Sequence, residues 1–148
     1  MKVEIRRVSS PQELRRAFAI RLRVFVREQG VPATIELDRD DLRAIHFLAA
    51  SAGRSVGTAR VVMHGRSAKI GRMAVLKTYR RRGFGIALLK RATATARKLG
   101  ATKIYLHAQV PVIGFYEAAG FHAVGRKFDE AGIPHRKMIW RAIGTTKG

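Results

Sequence analysis

The chain has 148 residues and a formal net charge of +20, from 30 Lys and Arg against 10 Asp and Glu. It contains no cysteine, which excludes disulfides, thiolate metal sites and a cysteine nucleophile. No run approaches the ~18 uninterrupted apolar residues of a membrane span, and the N-terminus, with Glu4, Arg6 and Arg7, lacks the apolar core of a signal peptide. The reading is a cytoplasmic protein with no membrane partner, and the length suits one domain over residues 1–148 with a frayed tail from 143. The charge is unevenly spread. No Asp or Glu stands between Asp41 and Glu117, an interval holding fifteen Lys and Arg. A positive field over the middle of the chain attracts phosphate-bearing ligands, nucleic acid included.

Lys2 to Val8 alternates apolar and charged residues, as a half-buried strand does. Ser10-Pro11-Gln12-Glu13 marks a helix start, with Ser10 as N-cap and Glu13 closing a capping box. Leu14, Phe18, Leu22 and Phe25 recur at helical spacing as its buried stripe, and the helix ends near Gln29-Gly30. Glu36, Asp38, Asp40 and Asp41 then form the one dense acidic cluster. It can cap a short helix, hold a cation, take a proton, or contact a cationic amine. Ile45–Ala50, Val56–His64 and Ala68–Leu76 read as three strands joined by tight turns.

The next stretch organises the rest. A strand ending Met73-Ala74-Val75 runs into Arg80-Arg81-Arg82-Gly83-Phe84-Gly85 and then a helix with Leu88, Leu89, Ala92, Ala96 and Leu99 on its apolar face. Glycines let a ligand approach the backbone, and the free amides and dipole of a helix start favour an anion. Three arginines in a row also read as a plain solvated turn. Lys103 to His107 is a further strand, Pro111 to Ala119 a short helix, and Phe121–Phe128 and Arg136–Ile143 a final strand pair joined through Asp129–Pro134.

Arg80-x-x-Gly83-x-Gly85 matches the pyrophosphate motif of the GNAT N-acetyltransferase superfamily. Further segments follow in family order: Gln29-Gly30-Val31-Pro32, Asp38-x-x-Asp41, Ala44-x-His46, Val56-Gly57-Thr58-Ala59-Arg60, Ile70-Gly71-Arg72-Met73-Ala74-Val75, Phe115-Tyr116-x-x-x-Gly120-Phe121 and Glu130 to His135. Together they resemble the ElaA branch of that superfamily. The resemblance implies an α/β, three-layer fold with a mixed, mostly antiparallel central sheet flanked by helices.

It also implies an acyl-CoA-dependent N-acyltransferase that passes an acetyl group from acetyl-CoA to an amine by direct attack, with no metal. By resemblance, Met73, Ala74 and Val75 lie against the pantetheine arm, and Arg80, Arg81, Arg82, Gly83, Phe84 and Gly85 cradle the pyrophosphate. Gln109 stands where many relatives carry an asparagine. Tyr116 is the general acid for the thiolate, as a phenol is protonated at neutral pH. The base remains open: Glu36 or Asp38, His46, His107, or Glu130 and His135. The acceptor is a small-molecule or protein amine, and a homodimer is left open. The competing reading is a non-catalytic polyanion-binding module on the same fold, for nucleic acid or CoA. It is disfavoured because basic and aromatic residues do not interleave.

Overall fold

The computed structural model describes residues 2–141, so Ile143 and the tail expected from 143 lie outside the described residues. Seven strands form one sheet in the order β1-β2-β3-β4-β5-β7-β6. They are β1 (Glu4–Arg7), β2 (Ile45–Ser51), β3 (Arg54–His64), β4 (Ser67–Val75), β5 (Lys103–Gln109), β6 (Phe121–Glu130) and β7 (Ile133–Trp140). Only β4 and β5 run parallel. Every other neighbouring pair is antiparallel.

The helices cover both faces. Alternate residues of β2 point to opposite sides: Phe47 and Ala49 pack with Leu88, Leu89 and Ala92 of α3 (Phe84–Lys98), whereas Leu48 packs with Ala17, Ile20 and Val24 from the first helix. That first helix, α1 (Pro11–Arg21), is capped by Ser10, whose side chain accepts from the Glu13 amide at 3.1 Å. The Glu13 carboxylate reaches one residue further back than a capping box requires, to the Ser9 amide at 2.8 Å. The expected stripe of Leu14, Phe18, Leu22 and Phe25 is only half-buried. The deepest positions are Ala17, Ile20, Arg21 and Val24. The displacement follows from Arg21, whose guanidinium is drawn inward by carboxylates and rotates the helix face.

From Leu22 to Glu28 the helix widens into π-helical turns, and Gly30, at φ 75°, ends it where the sequence indicated. A short helix α2 (Ala33–Glu36) and a 3-10 turn (Arg39–Leu42) follow. Asp38 and Asp41 close a capping box around that turn, the capping role expected for part of the acidic cluster. A last helix, α4 (Ile113–Ala118), leads into the final hairpin. Its connection is tighter than the expected Asp129–Pro134 loop: Asp129 and Glu130 belong to β6, Ile133 opens β7, and only Ala131 and Gly132 turn, both at positive φ. Two central residues with positive φ match the strand twist best, so the hairpin closes there.

Candidate active site

The sheet splits between its two parallel strands. β4 and β5 pair only over Ser67–Ile70 and Lys103–Leu106. Beyond that, β4 continues to Val75 and β5 to Gln109 without each other. A bulge helps to part them. Thr58 faces Ala74 and Arg60 faces Gly71, so Arg72 and Met73 together oppose Ala59. Arg72 takes φ 48°, an uncommon angle for a side chain of its size. The split opens a cleft of about 580 Å³.

Met73, Ala74 and Val75 line the cleft from β4, and Gln109 from β5. Having no partner strand on that side, the β4 edge can pair with an extended ligand. Tyr116 enters from α4, its hydroxyl 3.9 Å from the Met73 sulfur. Burial pushes the phenol up to about 12. Arg80 also lines the cleft. Its Nε donates to the Val75 carbonyl at 2.8 Å and its Nη2 to Glu28 at 2.9 and 3.0 Å. Beside that contact, the amides of Gln29 and Gln109 bond each other reciprocally at 2.9 and 3.3 Å.

Arg81, Arg82, Gly83, Phe84 and Gly85 are not among the lining residues; they form the turn into α3 and its first residues. Gly83 caps the helix at φ 92°, which a side chain adopts only under strain. A Cβ on Gly85 would lie 3.3 Å from the Phe115 ring. The Phe84 ring is buried in the core and edge-on to Tyr79, so this residue has only its backbone to offer a ligand.

The acidic cluster is neutralised from within the fold. Arg21 is 1% exposed and pairs with Glu36 at 2.6 Å and Asp41 at 2.7 Å. Arg60 pairs with Asp38 and Asp41, and Arg72 with Glu36 and Asp38. Burial acts to raise the Asp41 carboxyl, but the hydrogen bonds from Arg21, the Asp38 amide and Arg60 outweigh it and hold it at about 2. The Arg60 hydrogen bond likewise lowers Asp38. Glu36, a candidate base in the sequence, lines the cleft yet is 2% exposed and bound to both Arg21 and Arg72. His46 is absent from the lining: its Nε2 lies 3.0 Å from the Asp41 carbonyl oxygen, and its ring sits edge-on to Phe18. Burial lowers its pKa.

The other candidates do come together. His107 Nδ1 lies 2.9 Å from Glu130 Oε1, and His135 Nε2 lies 3.8 Å from Glu130 Oε2. All three line the cleft. The hydrogen bond from His107, with the charge of Lys69, holds Glu130 down at about 2. Three residues that shape the site escaped the sequence reading. Arg21 carried a faint signal, as an arginine on the inner face of a helix shortly before an excess of carboxylates. Glu28 and Lys69 carried none.

The model of the acetyltransferase (GNAT) domain matches residues 8–142. The chain belongs to the GNAT acetyltransferase family. It is 35% identical over 129 residues to the uncharacterized N-acetyltransferase YjcF of Bacillus subtilis, covering 86% of this chain and 92% of that one. It is 31% identical over 140 residues to the ElaA protein of Escherichia coli, covering 90% and 91%. The crystal structure of Escherichia coli ElaA superposes with a TM-score of 0.84 over 95% of this chain and all of that one, at 27% identity. An acyl-CoA N-acyltransferase from Pseudomonas aeruginosa superposes equally well, at 0.84 and 29% identity over 95% of this chain and 100% of that one. The GNAT fold expected from the motifs is therefore the fold observed, and the chain is a GNAT-type N-acetyltransferase. No described helix is long and apolar enough to cross a membrane.

Proposed function

We propose that this GNAT protein binds acetyl-CoA in the split between β4 and β5 and transfers its acetyl group to an amine without a covalent enzyme intermediate. The observation that carries the reading is the unpaired β4 edge at Met73–Val75, with the Tyr116 hydroxyl facing it across the cleft. The extended pantetheine arm lies along that edge as an added strand, and a backbone amide there polarises the thioester carbonyl. The phosphates reach the turn from Arg80 to Gly85, where Gly83 admits the backbone and α3 begins. The likeness to the Pseudomonas aeruginosa acyl-CoA N-acyltransferase supports an acyl-CoA cosubstrate.

The amine nitrogen attacks the thioester carbon; the C–N bond forms and the C–S bond breaks. Tyr116 gives its proton to the departing thiolate, and its raised pKa keeps that proton in place until then. His107 takes the proton from the amine. Glu130 stays ionised and accepts from His107 Nδ1, which leaves Nε2 as the basic nitrogen. Among the bases open in the sequence, this pair has the geometry of a carboxylate-oriented imidazole, whereas Glu36 and Asp38 are spent on arginines.

Calorimetric titration of acetyl-CoA at near-physiological salt tests the cosubstrate, with ADP as control. Saturable one-site binding, much tighter than ADP, is the expected result. An absence of binding overturns the reading.

A further inference from the structure

Lys69 stands at the inner end of the cleft, on β4, where the two strands are still paired and its register partner is Tyr105. It is half-buried, and burial lowers its pKa. The other cations of the cleft are committed. Arg60 holds Asp38 at 2.7 Å and Asp41 at 2.8 Å. Arg72 holds Glu36 at 2.9 Å and Asp38 at 3.0 Å, and Arg80 holds Glu28 at 2.9 Å. Among the described residues, no carboxylate lies within ion-pair distance of Lys69. Glu130 is the charge that acts on it most strongly, ahead of Arg60, Arg72 and Asp40. Glu130 in turn is held low first by the hydrogen bond from His107 and then by the charge of Lys69.

An ammonium and a carboxylate therefore line one cleft with no ion pair between them. Glu130 is held from behind by His107 at 2.9 Å and by His135 at 3.8 Å, so its position is set without Lys69. A half-buried cation without a partner gains most from a ligand that brings one. The opposite ends of the gap call for opposite charges on the ligand.

We propose that the acceptor is an amine carrying a carboxylate, such as an amino acid. Lys69 receives the carboxylate, and the Glu130–His107–His135 group receives the ammonium and deprotonates it. The inference deepens the transferase reading and rests on it. It gives the inner end of the cleft a specificity that neither the acetyl donor nor the net charge supplies. Removing a charge-assisted hydrogen bond at such a site costs about tenfold or more in discrimination.

The test is a set of amino acids, each assayed beside its α-carboxamide and its decarboxylated amine, with CoA release followed at saturating acetyl-CoA. Wild type is expected to favour the carboxylate-bearing member by about tenfold or more in kcat/KM. Lys69→Met is expected to reduce that preference to about twofold, because activity on the amino acid falls far more than activity on its amide. Lys69→Arg keeps the charge and is expected to keep the preference, which guards against a variant that merely folds poorly. Three results overturn the proposal: amides used as well as acids, no acid used at all, or Lys69→Met lowering both alike. Acetyl-CoA binding distinguishes the two readings. Saturable binding without a carboxylate preference overturns this inference alone, and failure to bind acetyl-CoA overturns both.

Discussion

Arg80 donates through Nη2 to both carboxylate oxygens of Glu28, at 2.9 and 3.0 Å, while its Nε holds the Val75 carbonyl. The first arginine of the phosphate-turn motif is thus occupied by a carboxylate from the end of the first helix. An anionic ligand at that turn has to compete with Glu28 for the same guanidinium. The pair is about one-third exposed on each side, so the competition is modest, about 0.2–1 kcal/mol.

Glu28→Gln is therefore expected to tighten acetyl-CoA by up to about fivefold. Calorimetry on the variant and wild type measures it. Weaker binding in the variant would show instead that Glu28 supports the site by orienting Arg80.

Tyr116→Phe removes the proposed proton donor and leaves the ring that fills the cleft wall. Turnover is expected to fall about 10²–10⁴-fold with acetyl-CoA affinity nearly unchanged. Because burial raises the phenol to about 12, the wild-type rate is expected to show no loss from its ionisation across the neutral and mildly alkaline range. Turnover undiminished in Tyr116→Phe would contradict the assignment.

Arg21 and Glu36 are 1% and 2% exposed, and their bond ties the first helix to the loop that walls the cleft. Removing one partner strands the other in the interior. Glu36→Ala is expected to cost about 3–5 kcal/mol of folding stability, read from urea unfolding. A drop below about 1 kcal/mol would mean that Asp41 alone satisfies Arg21.

Stability is also expected to fall in acid. Asp41 and Glu130 are both held at about 2, below the ordinary carboxylate values of the unfolded chain. The unfolded state then binds more protons than the native state between those values, so stability rises with pH through that window. It is fully present above the unfolded carboxylate pKa and lost as pH falls towards 2. Denaturation midpoints measured from neutral to acid pH check the sign. Asp41→Asn, already without one carboxylate, is expected to show a shallower slope.

Much of the architecture was legible because local rules set it. Ser10-Pro11 opens a helix by capping chemistry, Gly83 and Gly100 punctuate α3, and alternation marks the central strands. The Arg80-x-x-Gly83-x-Gly85 turn was legible as the entry to α3, where Gly83 takes φ 92° as the cap. The errors lie where long-range charge overrides local pattern. Leu14 and Phe18 look like the inner face of α1, yet Arg21 lies deeper than either because Glu36 and Asp41 compensate its burial.

The family, the order of strands and helices, and the glycine turn that opens α3 could all be read from the chain alone. They depend on neighbours within a few residues or on an ordered set of motifs. How the charges of the cleft are spent required the folded arrangement. Glu36 and Asp38, free by composition, are consumed by Arg21, Arg60 and Arg72, and Lys69 and the pair His107–Glu130 are left facing the cleft. The paired residues meet across up to 36 positions of chain, from Glu36 to Arg72, and a strand pattern records which face a side chain takes, not which charge stands opposite it.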